Sequence, residues 1–295
     1  MFELALEMKF TIYEEYPVKE RESLEKIGLL DFPFDLILAC KGLKEFYKLE
    51  EEIKKSNSKV QRIGYWPTLK RGEGYWFSIF SERRGLLRIL DELKERSKDS
   101  KDDRLLVKWD AELPLKKPSL YVKSLFDIRK NRRDIIEFLK EHKEYNLDII
   151  VSEFPEHMWD FPINMLMSNK VLNLFGVSFD PEEYKLEGIV KMTYTSFSDY
   201  KGFKKFLLQG FTESGLRNEI LEAKNKYGDK FKDKFGVAIG TLAKGEFGNE
   251  PLMELSQFMR DLSIADAHGV KKIYIYRLNG LTKNHIQIMK NYSPI

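Results

Sequence analysis

Apolar runs of strand length occur eight times along this chain, with amphipathic stretches between them. The runs occupy residues 4–13, 35–40, 60–67, 105–113, 147–154, 188–195, 235–242 and 271–278. Among the intervening segments, 42–56 (GLKEFYKLEEEIKKS), 81–98 (SERRGLLRILDELKERSK), 128–145 and 251–269 place apolar residues three and four apart. Charged residues fill the opposite face, which is the pattern of a helix lying on a core. The last of these segments ends in His268-Gly269, a helix stop just before the eighth run.

Strands that alternate with helices predict a parallel sheet, and eight such units predict a closed (β/α)8 barrel, the TIM barrel. An open, doubly wound sheet would rarely use eight strands so evenly. The length of 295 residues is usual for one such barrel. No Gly-rich linker or low-complexity run divides the chain, so residues 1–295 are read as a single domain. Hydrophobic residues make up 42% of the chain and aromatics 13%, enough to fill a large core.

The charges narrow the choice of partner. Fifty Lys and Arg stand against 47 Asp and Glu, a net charge of +3. That balance argues against nucleic acid, which needs a concentrated basic surface. Cys40 is the only cysteine and the four histidines are scattered, so neither a disulfide nor a zinc site is expected. No cofactor is implied. The first ten residues, MFELALEMKF, carry glutamates where a signal peptide needs apolar residues, and no run is long enough to span a bilayer. A cytoplasmic protein without a membrane partner is the expectation. The Lys/Glu-rich, Gln-poor composition resembles that of thermophile proteins.

In a barrel of this kind, polar residues at the C-terminal ends of the strands surround the mouth, where such folds place their active sites. Those ends read Tyr13-Glu14-Glu15-Tyr16, Gly64-Tyr65-Trp66-Pro67 and Trp109-Asp110-Ala111-Glu112. The fifth, sixth and eighth read Ser152-Glu153-Phe154-Pro155, Met192-Thr193-Tyr194-Thr195 and Tyr276-Arg277. Carboxylates and large aromatics on one rim suit a carbohydrate, since aromatic faces stack on sugar rings and carboxylates bind hydroxyls or move protons.

Asp110 and Glu112 are the most informative pair. Two residues apart on a strand, they face the same way, roughly 6.6 Å apart along the backbone. Two carboxylates so close in a dry cavity disfavour double ionisation, which leaves one protonated near neutral pH. Glycosidic cleavage needs that combination of acid and anion. The alternative is that Asp110 pairs with Lys108, and Glu112 with Arg62 or Arg277.

The WDAE run at the end of strand four and the MTYT run at the end of strand six resemble motifs of the chitinase-like family 18 glycoside hydrolases. That family carries D-x-D-x-E and M-x-Y-D at these places. The resemblance implies that Glu112 is the general acid, that Asp110 positions an acetamido group, and that Met192 and Tyr194 line the subsite. Lys108 and Thr195 stand where the family has aspartates. A two-carboxylate mechanism with Glu153 as the partner is the other catalytic option.

The expected protein is therefore a glycoside-hydrolase-like barrel for an intracellular oligosaccharide or glycoconjugate. Its expected catalytic residues are Glu112, Asp110 and Glu153. Glu14, Tyr65, Trp66, Trp109, Met192, Tyr194, Tyr276 and Arg277 are the expected binding residues. A non-catalytic sugar-binding barrel is one rival. The other is a phosphosugar or metal-dependent isomerase or lyase, with Glu112, Glu153 and Glu14 as magnesium ligands. Among lesser features, the turn 70–74 between two Tyr-Trp pairs reads as a flap or as a loop anchored by its aromatics. The 244–251 segment reads as a phosphate loop or, more simply, as a helix start.

Overall fold

The computed structural model describes residues 7–99, 104–111, 119, 126–155, 178–199, 212–246 and 248–293. Eight strands are present: β1 (Lys9–Glu14), β2 (Phe34–Cys40), β3 (Val60–Pro67), β4 (Leu105–Ala111), β5 (Leu147–Glu153), β6 (Gly188–Lys191), β7 (Phe235–Gly240) and β8 (Lys272–Tyr276). Each pairs in parallel with the next, and β8 pairs back to β1, closing the barrel. The expected (β/α)8 barrel is what forms.

Around it lie α1 (Leu43–Ser56), α2 (Arg83–Asp99), α3 (Ile128–Glu141), α4 (Glu213–Tyr227), the short α5 (Phe231–Lys234), α6 (Leu255–Ala267) and α7 (Lys283–Tyr292). Among the described residues no helix is long and apolar enough to cross a membrane. Helix α6 begins at Leu255, later than the Asn249-Glu250-Pro251 start suggested by sequence. Its first turn is closed by reciprocal hydrogen bonding between Glu254 and Gln257, the capping-box arrangement. It ends as expected, with His268 at the cap and Gly269 at a φ of 73°, a left-handed conformation that suits glycine.

The two-residue period of the strands separates the core into two shells. Outward residues such as Phe10, Leu36, Tyr65, Val107, Trp109, Ile149 and Ile275 join one cluster with Phe46 and Leu49 of α1, Leu86 and Ile89 of α2 and Phe138 of α3. Inward residues, Tyr13, Ile37, Trp66, Leu106, Ile150, Val190, Ala238 and Tyr274, form a second cluster inside the ring. Space there is limited. A side chain on Gly64 would put its Cβ 3.0 Å from Ile37 and 3.1 Å from Leu106.

Charge closes the N-terminal end. Asp35, almost fully buried, takes Lys9 at 3.0 Å and Arg62 at 3.1 Å, and Arg62 also reaches Glu187 at 3.6 Å. Arg62 is thereby committed to the floor of the barrel, away from Asp110.

Trp109 shows what the outer shell contributes. It is 0% exposed, and its ring centroid lies 4.3 Å from that of Phe77, with Phe138 and Phe179 at 6.3 and 6.4 Å. Trp109→Ala is expected to cost about 3–5 kcal/mol of stability, read as a lower urea midpoint. Trp109→Phe should cost clearly less.

Candidate active site

One side of the mouth is built by the ends of β1, β2, β3 and the loop after β7. A cavity of about 470 Å³ opens there, with Glu15, Tyr16, Ala39, Thr68, Leu69, Tyr75 and Glu246 among its lining residues. Glu15 follows β1 on the parity of Thr11 and Tyr13, so its side chain continues the inward column. It is only 5% exposed. The Tyr75 hydroxyl donates to it at 2.6 Å, and the Tyr276 hydroxyl donates to its other oxygen. Burial pushes the Glu15 carboxyl up to about 7, against the pull of the two phenols and Arg277. A carboxylic acid near neutrality at the edge of a cavity is the form that general acid catalysis uses.

The surroundings hold this group in place. Tyr75 sits at a φ of 61° after the 3₁₀ turn Arg71–Glu73. The Leu69 amide bonds the Tyr75 carbonyl at 2.8 Å, and Arg88 reaches Glu73 at 3.2 Å. The 70–74 turn is thus an anchored loop that delivers a phenol, rather than a free flap. Gly245 packs directly over the Glu15–Tyr276 contact. An added Cβ would lie 1.8 Å from the Tyr276 hydroxyl and 2.8 Å from Glu15. That glycine serves close approach, which replaces the phosphate-loop reading of 244–251. The same loop carries Glu246, whose carboxylate accepts from the Tyr16 hydroxyl at 3.3 Å.

The residues expected from sequence divide by strand parity. Trp66, Asp110, Met192, Tyr194 and Tyr276 point to the interior or its upper rim. Tyr276 alone touches Glu15 directly, while its ring lies 5.6 Å from that of Tyr194. Tyr65 and Trp109 point outward instead, Tyr65 against Phe46 at 5.4 Å. They are core aromatics and not sugar platforms. Glu153 also points outward, where Lys191 holds it at 3.0 Å and the Phe179 amide donates to it at 2.7 Å. It is a buried ion pair set behind the strands, not the neighbour of Asp110.

Glu14 and Arg277 form a second buried pair, at 2.8 Å. Glu14 further accepts from the Tyr16 and Asn279 amides at 3.0 Å each, and Arg277 bonds Glu20. Burial raises the Glu14 carboxyl, and Arg277 opposes that rise. The pair ties the end of β8 to the end of β1 and positions Tyr16, whose ring lies 4.7 Å from the guanidinium. Glu14 and Glu153 therefore sit in separate ion pairs, which does not fit a shared magnesium site. Among the described residues no three His, Cys, Asp or Glu side chains are grouped to hold a metal ion.

Asp110 is paired with Lys108 at 2.6 Å, both nearly fully buried, as the plainer sequence reading has it. The Lys108 ammonium also lies 3.5 Å from the centroid of Trp66 and 4.9 Å from that of Tyr13, a cation–π contact on two rings. Glu112 lies outside the described residues, as do 156–177 after β5 and 200–211. Glu15, Tyr75 and Glu246 are not among the site residues expected from sequence, although Glu15 and Tyr75 stand in segments noted there. Counting parity along β1 was the available signal for Glu15, since it selects Glu15 over Glu14. Tyr75 and Glu246 come from loops, and only the fold brings them there.

No protein-family model and no curated protein matches the chain. Solved structures do. A GH5-4 broad-specificity endoglucanase from Bacteroides salanitronis is similar over 97% of this chain and 93% of its own, at 8% identity and a TM-score of 0.55. The spore cortex-lytic enzyme SleL from Bacillus cereus is similar over 99% of this chain and 76% of its own, at 10% identity and a TM-score of 0.60. A Bacteroidetes-affiliated GH5 cellulase is similar over 98% and 91%, at 11% identity and a TM-score of 0.53. Likeness at such identities does not single out family 18; it establishes the (β/α)8 barrel, a fold this chain shares with glycoside hydrolases.

Proposed function

We propose that this barrel binds and hydrolyses a carbohydrate, an intracellular oligosaccharide or glycoconjugate, with Glu15 as the proton donor. The observation that carries the reading is the Glu15 carboxyl. It is buried, gripped by two phenols, raised to about 7 and placed on a 470 Å³ cavity. A glycosidic oxygen needs a proton as its bond to carbon breaks, and a carboxylic acid still protonated near pH 7 supplies one. The flanking Tyr16 and Tyr75 offer aromatic walls for a sugar ring. The similar structures, an endoglucanase, a cellulase and a cortex-lytic enzyme, support polysaccharide-like substrates.

Glu112 remains the donor implied by the WDAE resemblance, and the two assignments are separable. On aryl glycosides and chito-oligosaccharides, Glu15→Gln is expected to lower kcat/KM by about 10²-fold or more. Substrates with good leaving groups should suffer less, because they need less protonation. Loss in Glu112→Gln alone would return the acid to strand four. A second reading is a barrel that binds sugar without cleaving it. The Lys108–Asp110 pair favours it, because a cation neutralises one member of the expected carboxylate pair. Oligosaccharide binding with no product from wild type over long incubation would establish that reading.

Titration of Glu15 gives a further expectation. Its rate contribution should fall as pH rises through about 7, where it loses its proton, and this basic limb should vanish in Glu15→Gln. Stability carries the same signature. A carboxyl raised from 4.5 to about 7 on folding favours the folded state below about 4.5, and that advantage is lost as pH rises through 7. Urea midpoints at about pH 5 and about pH 8 should therefore differ less in Glu15→Gln than in wild type.

A further inference from the structure

Resting on the hydrolase reading, we infer that Glu246 is the second catalytic carboxylate, a general base that activates water across the cavity from Glu15. Both residues line the same space. Glu15 enters from the end of β1, and Glu246 from the loop after β7. The loop is fixed in place by Gly245, whose Cα carries no Cβ because the Tyr276 hydroxyl and Glu15 occupy that position. The residue that follows is therefore set on the same cavity as the acid by packing.

The two carboxylates sit in different surroundings. Glu15 is 5% exposed under two phenols, whereas Glu246 is half-buried and accepts from the Tyr16 hydroxyl at 3.3 Å. The more open group is the one that water reaches. The cavity, at about 470 Å³, has room for a water beside a sugar ring.

The step balances without any added reactant. Water gives a proton to a Glu246 oxygen while its own oxygen bonds the anomeric carbon. The bond from that carbon to the leaving oxygen breaks, and the leaving oxygen takes the Glu15 proton. Glu15 ends ionised and Glu246 protonated, and one proton exchanged with solvent resets the pair. A single displacement of this kind inverts the anomeric centre. Tyr16 is a positioning residue here, since it orients the Glu246 carboxylate and is itself held over Arg277.

The test uses the full chain with aryl glycosides of graded leaving group. Glu246→Gln and Glu246→Ala are expected to lose about 10²-fold or more with good and poor leaving groups alike. Azide should restore turnover to Glu246→Ala and yield a glycosyl azide, because the small anion replaces the activated water. Proton NMR of the wild-type reaction should show inverted product first. Tyr16→Phe should lower kcat more than it raises KM and leave the basic limb set by Glu15 in place. Retained configuration overturns the base assignment. So does full activity in Glu246→Gln while Glu15→Gln is impaired, and that result leaves the hydrolase reading standing. Absence of turnover by wild type on every substrate overturns both.

Discussion

Closing eight parallel strands on themselves forces every second side chain into a ring of fixed width, and most of this molecule follows from that constraint. The interior accepts the Tyr274 ring only because Gly236 has no Cβ, which would lie 2.5 Å from it, and Gly64 likewise leaves room for Ile37 and Leu106. A closed ring also removes the sheet edges that would otherwise need covering. What remains polar inside must be paired, because an isolated charge in so dry a space is very costly. The Asp35–Lys9–Arg62 cluster at one end and the Lys108–Asp110 pair nearer the other satisfy that demand.

The mouth shows how burial and chemistry separate. Glu14, Glu15, Asp110 and Glu153 are all buried carboxylates close to strand ends. Three of them face a cation within 3.0 Å: Arg277, Lys108 and Lys191 respectively for Glu14, Asp110 and Glu153. Glu15 is held by phenols instead. A guanidinium or ammonium in contact favours the ionised form strongly, whereas two phenols oppose burial less, so burial prevails at Glu15 and favours retention of the proton. The difference between structural and reactive acid lies in the partner, not in the carboxylate.

Fold and site were unequally legible in the sequence. The barrel could be read because its signal is repeated eight times, and strand limits such as 60–67 agree with Val60–Pro67. Helix α4 carries weak apolar periodicity, and α7 is short at 10 residues, so neither stands out in the sequence. Site residues depend on a one-residue parity that composition cannot resolve. Trp66 and Tyr65 are equally aromatic, yet one faces the lumen and the other packs on Phe46 of α1. Glu153 looked catalytic because Lys191, which neutralises it, lies 38 positions away on the next strand. Tyr75 and Glu246 meet Glu15 and Tyr16 across separations of 60 and 230 positions. Local pattern holds no record of such meetings.

The pairing of β1 with β8 has a consequence for how the chain is made. β1 begins at Lys9, and its partner on one side does not begin until Lys272. During synthesis the first strand therefore keeps a bare row of amide and carbonyl groups while the rest of the ring is built. The same wait applies to Glu14, whose counter-charge Arg277 arrives 263 positions later. An unsealed strand edge is a template for pairing with other chains. For this protein the hazardous interval is the time between the emergence of the first strand and the arrival of the last.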